Sequence, residues 1–147
     1  MTSSAPAPPA PADAPCPCGL PAPYAQCCGR WHTGALHLQA PSAEALMRSR
    51  YSAYVLGLSD YLRDTWHPRT RPNTGPLEQP GPRWLGLEVR KRRALPDAPG
   101  LDGEPVPQAE VEFVARCKQG GRATRLHETS RFLREDGHWL YLDGVLR

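Results

Sequence analysis

No segment of the 147-residue chain comes near the roughly 18 to 20 consecutive apolar residues that a membrane-crossing helix needs. Residues 1–14 also lack the basic start and apolar stretch of a secretory signal, so a soluble, cytoplasmic protein is expected. Charge of one sign is missing too. The 18 Lys and Arg stand against 15 Asp and Glu, a net +3 that is too even to argue for nucleic acid. The basic run Lys91-Arg92-Arg93, with Arg83 and Arg90, has no interleaved aromatics on which bases would stack, and reads as a solvated strand edge. There is no heptad pattern, no internal repeat and no evident nucleophile set beside a base.

What the chain does have is a concentration of cysteine. Four of its five cysteines, Cys16, Cys18, Cys27 and Cys28, fall in one short stretch. In a reducing compartment such a cluster reads as a metal site ahead of a disulfide framework. The spacing Cys-x-Cys-x8-Cys-Cys sets two close pairs on either side of a loop, which suits a tetrahedral zinc ion. Four thiolates would close its coordination, so the expected cofactor is one structural zinc. His32 is a possible substitute ligand. Cys117 reads as a buried free thiol outside any site.

Around that stretch the sequence divides into an Ala/Pro-rich disordered tail (1–15), a metal motif with its linker (16–40) and a folded domain (41–147). Ser42 can cap a helix running to about Leu56, before Gly57, with Leu46, Met47, Tyr51, Tyr54 and Val55 on one apolar face. Ser59 can cap a second, Asp60 to Trp66, which His67-Pro68 ends. Residues 68–82 and 95–107 are dense in Pro and Gly and read as loops. Alternation marks strands at Trp84–Arg92, Gln108–Lys118, Arg122–Arg134 and His138–Asp143, with hairpins at Gly120-Gly121 and Asp136-Gly137. The fold class is α+β, helices packed against a curved antiparallel sheet.

Polar residues facing the expected core form a second constellation. Arg50 falls on the apolar helix face, and Glu128 with Ser130 on the apolar sheet face. One reading is a ligand pocket of Arg50, Tyr54, Trp66, His67, Glu128, Ser130 and Trp139. The other, favoured, is a structural Arg50–Glu128 ion pair with Trp66 and Trp139 as core, because an unpaired buried charge is costly.

At this point the residues resemble known modules. Cys16-Pro-Cys18-Gly19, Tyr24 and Cys27-Cys28-Gly29 resemble the SEC-C motif, the zinc-binding element at the C-terminus of the SecA translocation ATPase, where it mediates protein contacts. The resemblance assigns zinc ligation to the four cysteines. Gly19-Leu20-Pro21 replaces the motif's usual Gly-Ser-Gly. Further on, Leu46–Gly57, Tyr61–Pro68, Trp84–Val89, Glu110–Arg116 and Leu126–Phe132 resemble the bacterial YchJ-type family. Membership implies a cone-shaped domain similar to nuclear transport factor 2 (NTF2), a cystatin-like cone, and no assigned biochemical role. Such cones resemble isomerases and dehydratases that place acidic residues or His inside.

The expected function is thus a cytoplasmic zinc-containing adaptor. Its SEC-C element would dock a protein partner of the translocation or ribosome-associated class, and its cone would be a scaffold or weak ligand binder. A small pocket enzyme (isomerase, dehydratase or hydrolase-like) is the alternative, with Glu128 or His67 as acid or base and Arg50 as anion stabiliser. Nucleic-acid binding ranks third. Leu140 and Leu142 on the outer sheet face leave a homodimer through the sheet open.

Overall fold

The computed structural model describes residues 12–73 and 81–147. Two short turns, Tyr24–Gln26 and helix α1 (Gly29–His32), lead to α2 (Ala43–Leu56) and α3 (Ser59–Asp64). Four strands follow, β1 (Arg83–Pro99), β2 (Pro105–Gln119), β3 (Arg122–Glu135) and β4 (His138–Leu146). They form one antiparallel sheet in the order β1-β2-β3-β4.

The α2 boundaries follow from local chemistry. The Ser42 hydroxyl accepts the Ala45 N–H at 3.1 Å, and Gly57 ends the helix in the left-handed region. Apolar residues along α2 meet the concave face of the sheet, where Leu46, Met47, Tyr51, Val111, Phe113, Ala115 and Phe132 share one core. Phe113 pairs with Glu128 across β2 and β3, as the alternation predicts, so Glu128 does face inward. Both hairpin dipeptides have positive φ throughout, which matches the sheet's twist.

Several expectations need correction. The second helix starts after Leu58, not from a Ser59 cap, and stops at Asp64. Residues beyond it leave helical geometry to pair with β4: Tyr141 N–H donates to Thr65 O at 2.8 Å and His67 N–H to Tyr141 O at 2.7 Å. The proline-rich stretch read as a loop over 95–107 is mostly strand, and only residues 100–104 turn. β1 is an edge strand whose ladder slips between Leu95 and Ala98, and a proline at an edge or bulge removes no ladder hydrogen bond. Ala12 and Ala14, assigned to the tail, accept N–H groups of Ala25 and Tyr24. The rest of that tail reading, 1–11, and the 74–80 part of the 68–82 loop lie outside the described residues.

Chain segment 65–71 also covers the β4 edge. The Thr70 hydroxyl donates to Leu142 O, and Arg69 donates to the carbonyls of Pro99 and Gly100 at 3.0 and 3.2 Å. Of the two outer-face leucines, Leu142 is buried within the chain and Leu140 is half-buried.

His67, fully buried, is fixed by this arrangement. Its Nδ1 accepts the Arg69 N–H at 3.1 Å, so Nε2 carries the proton and donates to the Glu135 carboxylate at 2.7 Å. The same Glu135 oxygen accepts the Leu101 N–H at 3.0 Å. Glu135→Ala strands both donors in a dry site, and the expected loss is about 2–4 kcal/mol. Urea denaturation of the variant beside wild type measures it.

Candidate metal centre and cone cavity

Gly19 follows the first cysteine pair with φ +94°, a geometry that only glycine adopts freely, and turns the chain back. Gly29 lies so close beneath Tyr24 that a Cβ would sit 2.7 Å from its carbonyl oxygen. These two glycines let the second pair fold over the first. The sulfurs of Cys16, Cys18, Cys27 and Cys28 then lie within 4.8 Å of one another, all four residues buried. Four ligand atoms so close, on residues able to give thiolates, can hold a metal ion.

Electrostatics favour a cation there. Thiol hydrogen bonds from Cys18 and Cys28 hold Cys16 well below the usual thiol range, while contacts with Cys16 and Cys18 push Cys28 up. Burial pushes Cys27 up to about 12. The cluster by itself thus tolerates one thiolate and resists the next, and a divalent ion supplies the charge that four thiolates need.

Helix α2 supports the cluster. The Ser52 hydroxyl lies 3.7 Å from Cys16 Sγ, and Arg48 Nη1 donates to Cys18 O at 3.0 Å while its Nε pairs with Glu44 at 2.9 Å. His32 is not part of the four-residue cluster. Its Nε2 donates to Ser49 O at 2.9 Å and its Nδ1 accepts the Tyr24 hydroxyl at 2.6 Å. With both nitrogens committed, it braces α1 against α2. The Ser49 hydroxyl, 0 % exposed with its residue, donates to Leu46 O and accepts from Tyr61, both at 2.7 Å.

The second constellation separates into three places. Arg50, Tyr54, Trp66, Glu128 and Ser130 line one cavity of about 230 Å³ between α2 and the sheet. Trp139 lies on the expected face but lines a different surface cleft with Ala43, Arg92 and Ala94. A two-residue step along β4 from Tyr141, roughly 7 Å, carries it past the cavity. His67 points away from the cavity, held by its 2.7 Å hydrogen bond to Glu135, while Trp66 beside it lines the cavity. Tyr141, Tyr51 and Trp84 complete the aromatic walls. Sequence alternation marks Tyr141 as inward, but only the pairing of segment 65–67 with β4 sets it against Trp66, with ring centroids 5.1 Å apart.

The favoured ion pair does not form. Arg50 Nη1 donates to Leu62 O at 2.8 Å and to Thr65 Oγ1 at 2.7 Å, and no Glu128 oxygen comes within salt-bridge distance. Glu128 accepts instead from the Ser130 hydroxyl at 2.5 Å and packs over Gly144, where any side chain would displace it. Arg50 lies under the rings of Tyr141 and Trp66, 4.7 and 5.1 Å from their centroids, and burial lowers its pKa.

Burial also lowers the His32 pKa. The folded state therefore refuses a proton that the unfolded chain accepts below its ordinary value near 6.5, and stability present above that pH is lost as pH falls toward the folded value. His32→Gln keeps a donor and an acceptor but does not titrate. Its unfolding midpoint should drop less than that of wild type between pH 8 and about pH 5.5.

Comparisons with known proteins agree with this geometry. The family described as "YchJ, middle NTF2-like domain" matches residues 42–144. A UPF0225 protein of Bordetella pertussis is 53% identical over 129 residues, covering 88% of this chain and 90% of its own. A UPF0225 protein of Methylibium petroleiphilum is 58% identical over 129 residues, with 87% and 85% covered. The solution structure of a SEC-C motif containing protein from Rhodopseudomonas palustris superposes with a TM-score of 0.73 at 31% identity, over 89% of this chain and 97% of that one. A crystal structure of a SEC-C motif containing protein from Psychrobacter arcticus gives 0.70 at 28%, with 92% and 84% covered.

Proposed function

The chain belongs to the YchJ family of NTF2-like cones, and on that premise we propose that it is a zinc-binding adaptor whose cysteine knuckle docks a protein partner. The carrying observation is the closed set of four buried sulfurs. Zinc suits four thiolates, and with four it has no open position for a substrate or an activated water, so its role is to hold the knuckle's shape. Likeness to two SEC-C motif proteins supports the same assignment. Five free cysteines fit a reducing, cytoplasmic setting.

The knuckle keeps one side for a partner. Leu20 is 40 % exposed at the tip beside Pro21, and Arg30 is held outward over the Trp31 ring. A contact there reads side-chain chemistry on a rigid loop, as a protein or ribosome-associated partner would offer. The enzyme alternative keeps only one of its two acid–base candidates: His67 is locked to Glu135 away from the cavity, while Glu128 still lines it, accepting the Ser130 hydroxyl.

Metal analysis of the purified chain should give about one zinc per protein, falling by more than half in Cys27→Ser. His32→Gln should keep its full complement, and an equal loss there would remove the four-cysteine assignment. Docking has its own test. Leu20→Asp, which touches no ligand, should retain zinc yet lose co-sedimentation with purified ribosomes or binding to the translocation ATPase, whichever wild type shows. Wild type binding neither would overturn the adaptor reading.

A further inference from the structure

The cone cavity carries chemistry that the metal centre does not use. Its volume, about 230 Å³, exceeds the ~150 Å³ that admits a benzene ring and falls short of the ~300 Å³ at which drug-sized pockets begin. Tyr51, Tyr54, Trp66, Trp84 and Tyr141 make its walls aromatic. A flat ring with one small substituent matches that size and lining.

Two side chains in it have donors without acceptors. Arg50 is 6 % exposed, and only its Nη1 is hydrogen-bonded among the described residues, which leaves Nε and Nη2 without partners. The indole N–H of Trp66, buried in the same wall, has no acceptor either. A buried guanidinium with donors left open is costly, and the two rings over it offset only part of that cost. A planar carboxylate would answer Nε and Nη2 together, the fork geometry in which arginine binds best. Glu128 lines the same cavity, so the pair Arg50 and Glu128 brings no net positive charge. With that balance a monoanion placed on the Arg50 side adds less repulsion from Glu128 than a phosphate dianion would.

We propose that the cone cavity is a binding site for a small aromatic carboxylate. Its acid group bonds the free side of Arg50 and the Trp66 indole N–H, its ring stacks among the aromatic walls, and a ring hydroxyl donates to Glu128. This site is independent of the zinc knuckle and stands or falls apart from the docking function.

The test titrates the zinc-loaded full chain with benzoate, 4-hydroxybenzoate and benzyl alcohol, reading the Trp66 indole N–H resonance and the heat of binding. Both acids should shift that resonance saturably, with benzyl alcohol weaker by about tenfold or more. Trp66→Phe keeps an aromatic wall and removes the donor, and it should weaken both acids about tenfold while leaving benzyl alcohol unchanged. Glu128→Gln should erase the advantage of 4-hydroxybenzoate over benzoate. Arg50→Met also breaks the contacts to Leu62 and Thr65, so the Trp66 and Glu128 variants carry the decision if it fails to fold. Equal affinity for acid and alcohol, unaltered acid binding in Trp66→Phe, or no saturable shift up to about 10 mM acid would overturn the site.

Discussion

Helix α2 is enclosed around nearly its whole circumference, and that enclosure is the constraint from which the other features follow. Ser49, Ser52 and Ala53 are 0 % exposed, and even Arg50 is buried. A surface helix can leave its polar side to water. This one cannot, so most polar groups on it take an internal partner. Ser49 therefore bonds Tyr61 and accepts His32, Ser52 meets a cysteine sulfur, and Arg50 closes the end of α3. Small side chains at 49, 52 and 53 let neighbours approach closely.

The same helix sorts the two candidate sites. Steps of about 100° per residue set Arg48 and Ser52 on one side and Arg50 and Tyr54 roughly opposite. Arg48 and Ser52 reach the cysteine knuckle, whereas Arg50 and Tyr54 enter the cone cavity. The two sites share a wall one helix thick and no side chain. Loss of metal would loosen one side of α2 first, while a cavity ligand would tighten the other.

Much of this was legible where chemistry is local. Ser42 and Gly57 bound α2 because a cap and a left-handed glycine act within one turn, and Gly120-Gly121 and Asp136-Gly137 set the hairpin registers. The cysteine spacing alone defines the cluster. Alternation also put Glu128 and Arg50 on facing surfaces, but it carries no information about distance, and the guanidinium found Leu62 and Thr65 first. The inward set failed at His67 and Trp139 for reasons of direction and reach: segment 65–67 is oriented by its pairing with β4, a contact 76 residues away in sequence between Thr65 and Tyr141. Prolines 96, 99, 105 and 107 misled because their effect depends on whether a strand has a neighbour: β1 has one on a single side, and β2 gains its second only from Gln108 onward.

The two margins of the sheet have unequal fates. On β4, residues 65–67 already occupy the ladder positions a foreign strand would need, at least around Tyr141. Along β1 no strand among the described residues pairs with the margin, but it is interrupted by three slips in register and carries Lys91, Arg92 and Arg93 beside two prolines. An incoming strand would meet like charge, missing donors and a ladder that changes phase. The sheet is consequently a poor template for its own extension, and a chain built largely from four strands is protected from polymerising through them.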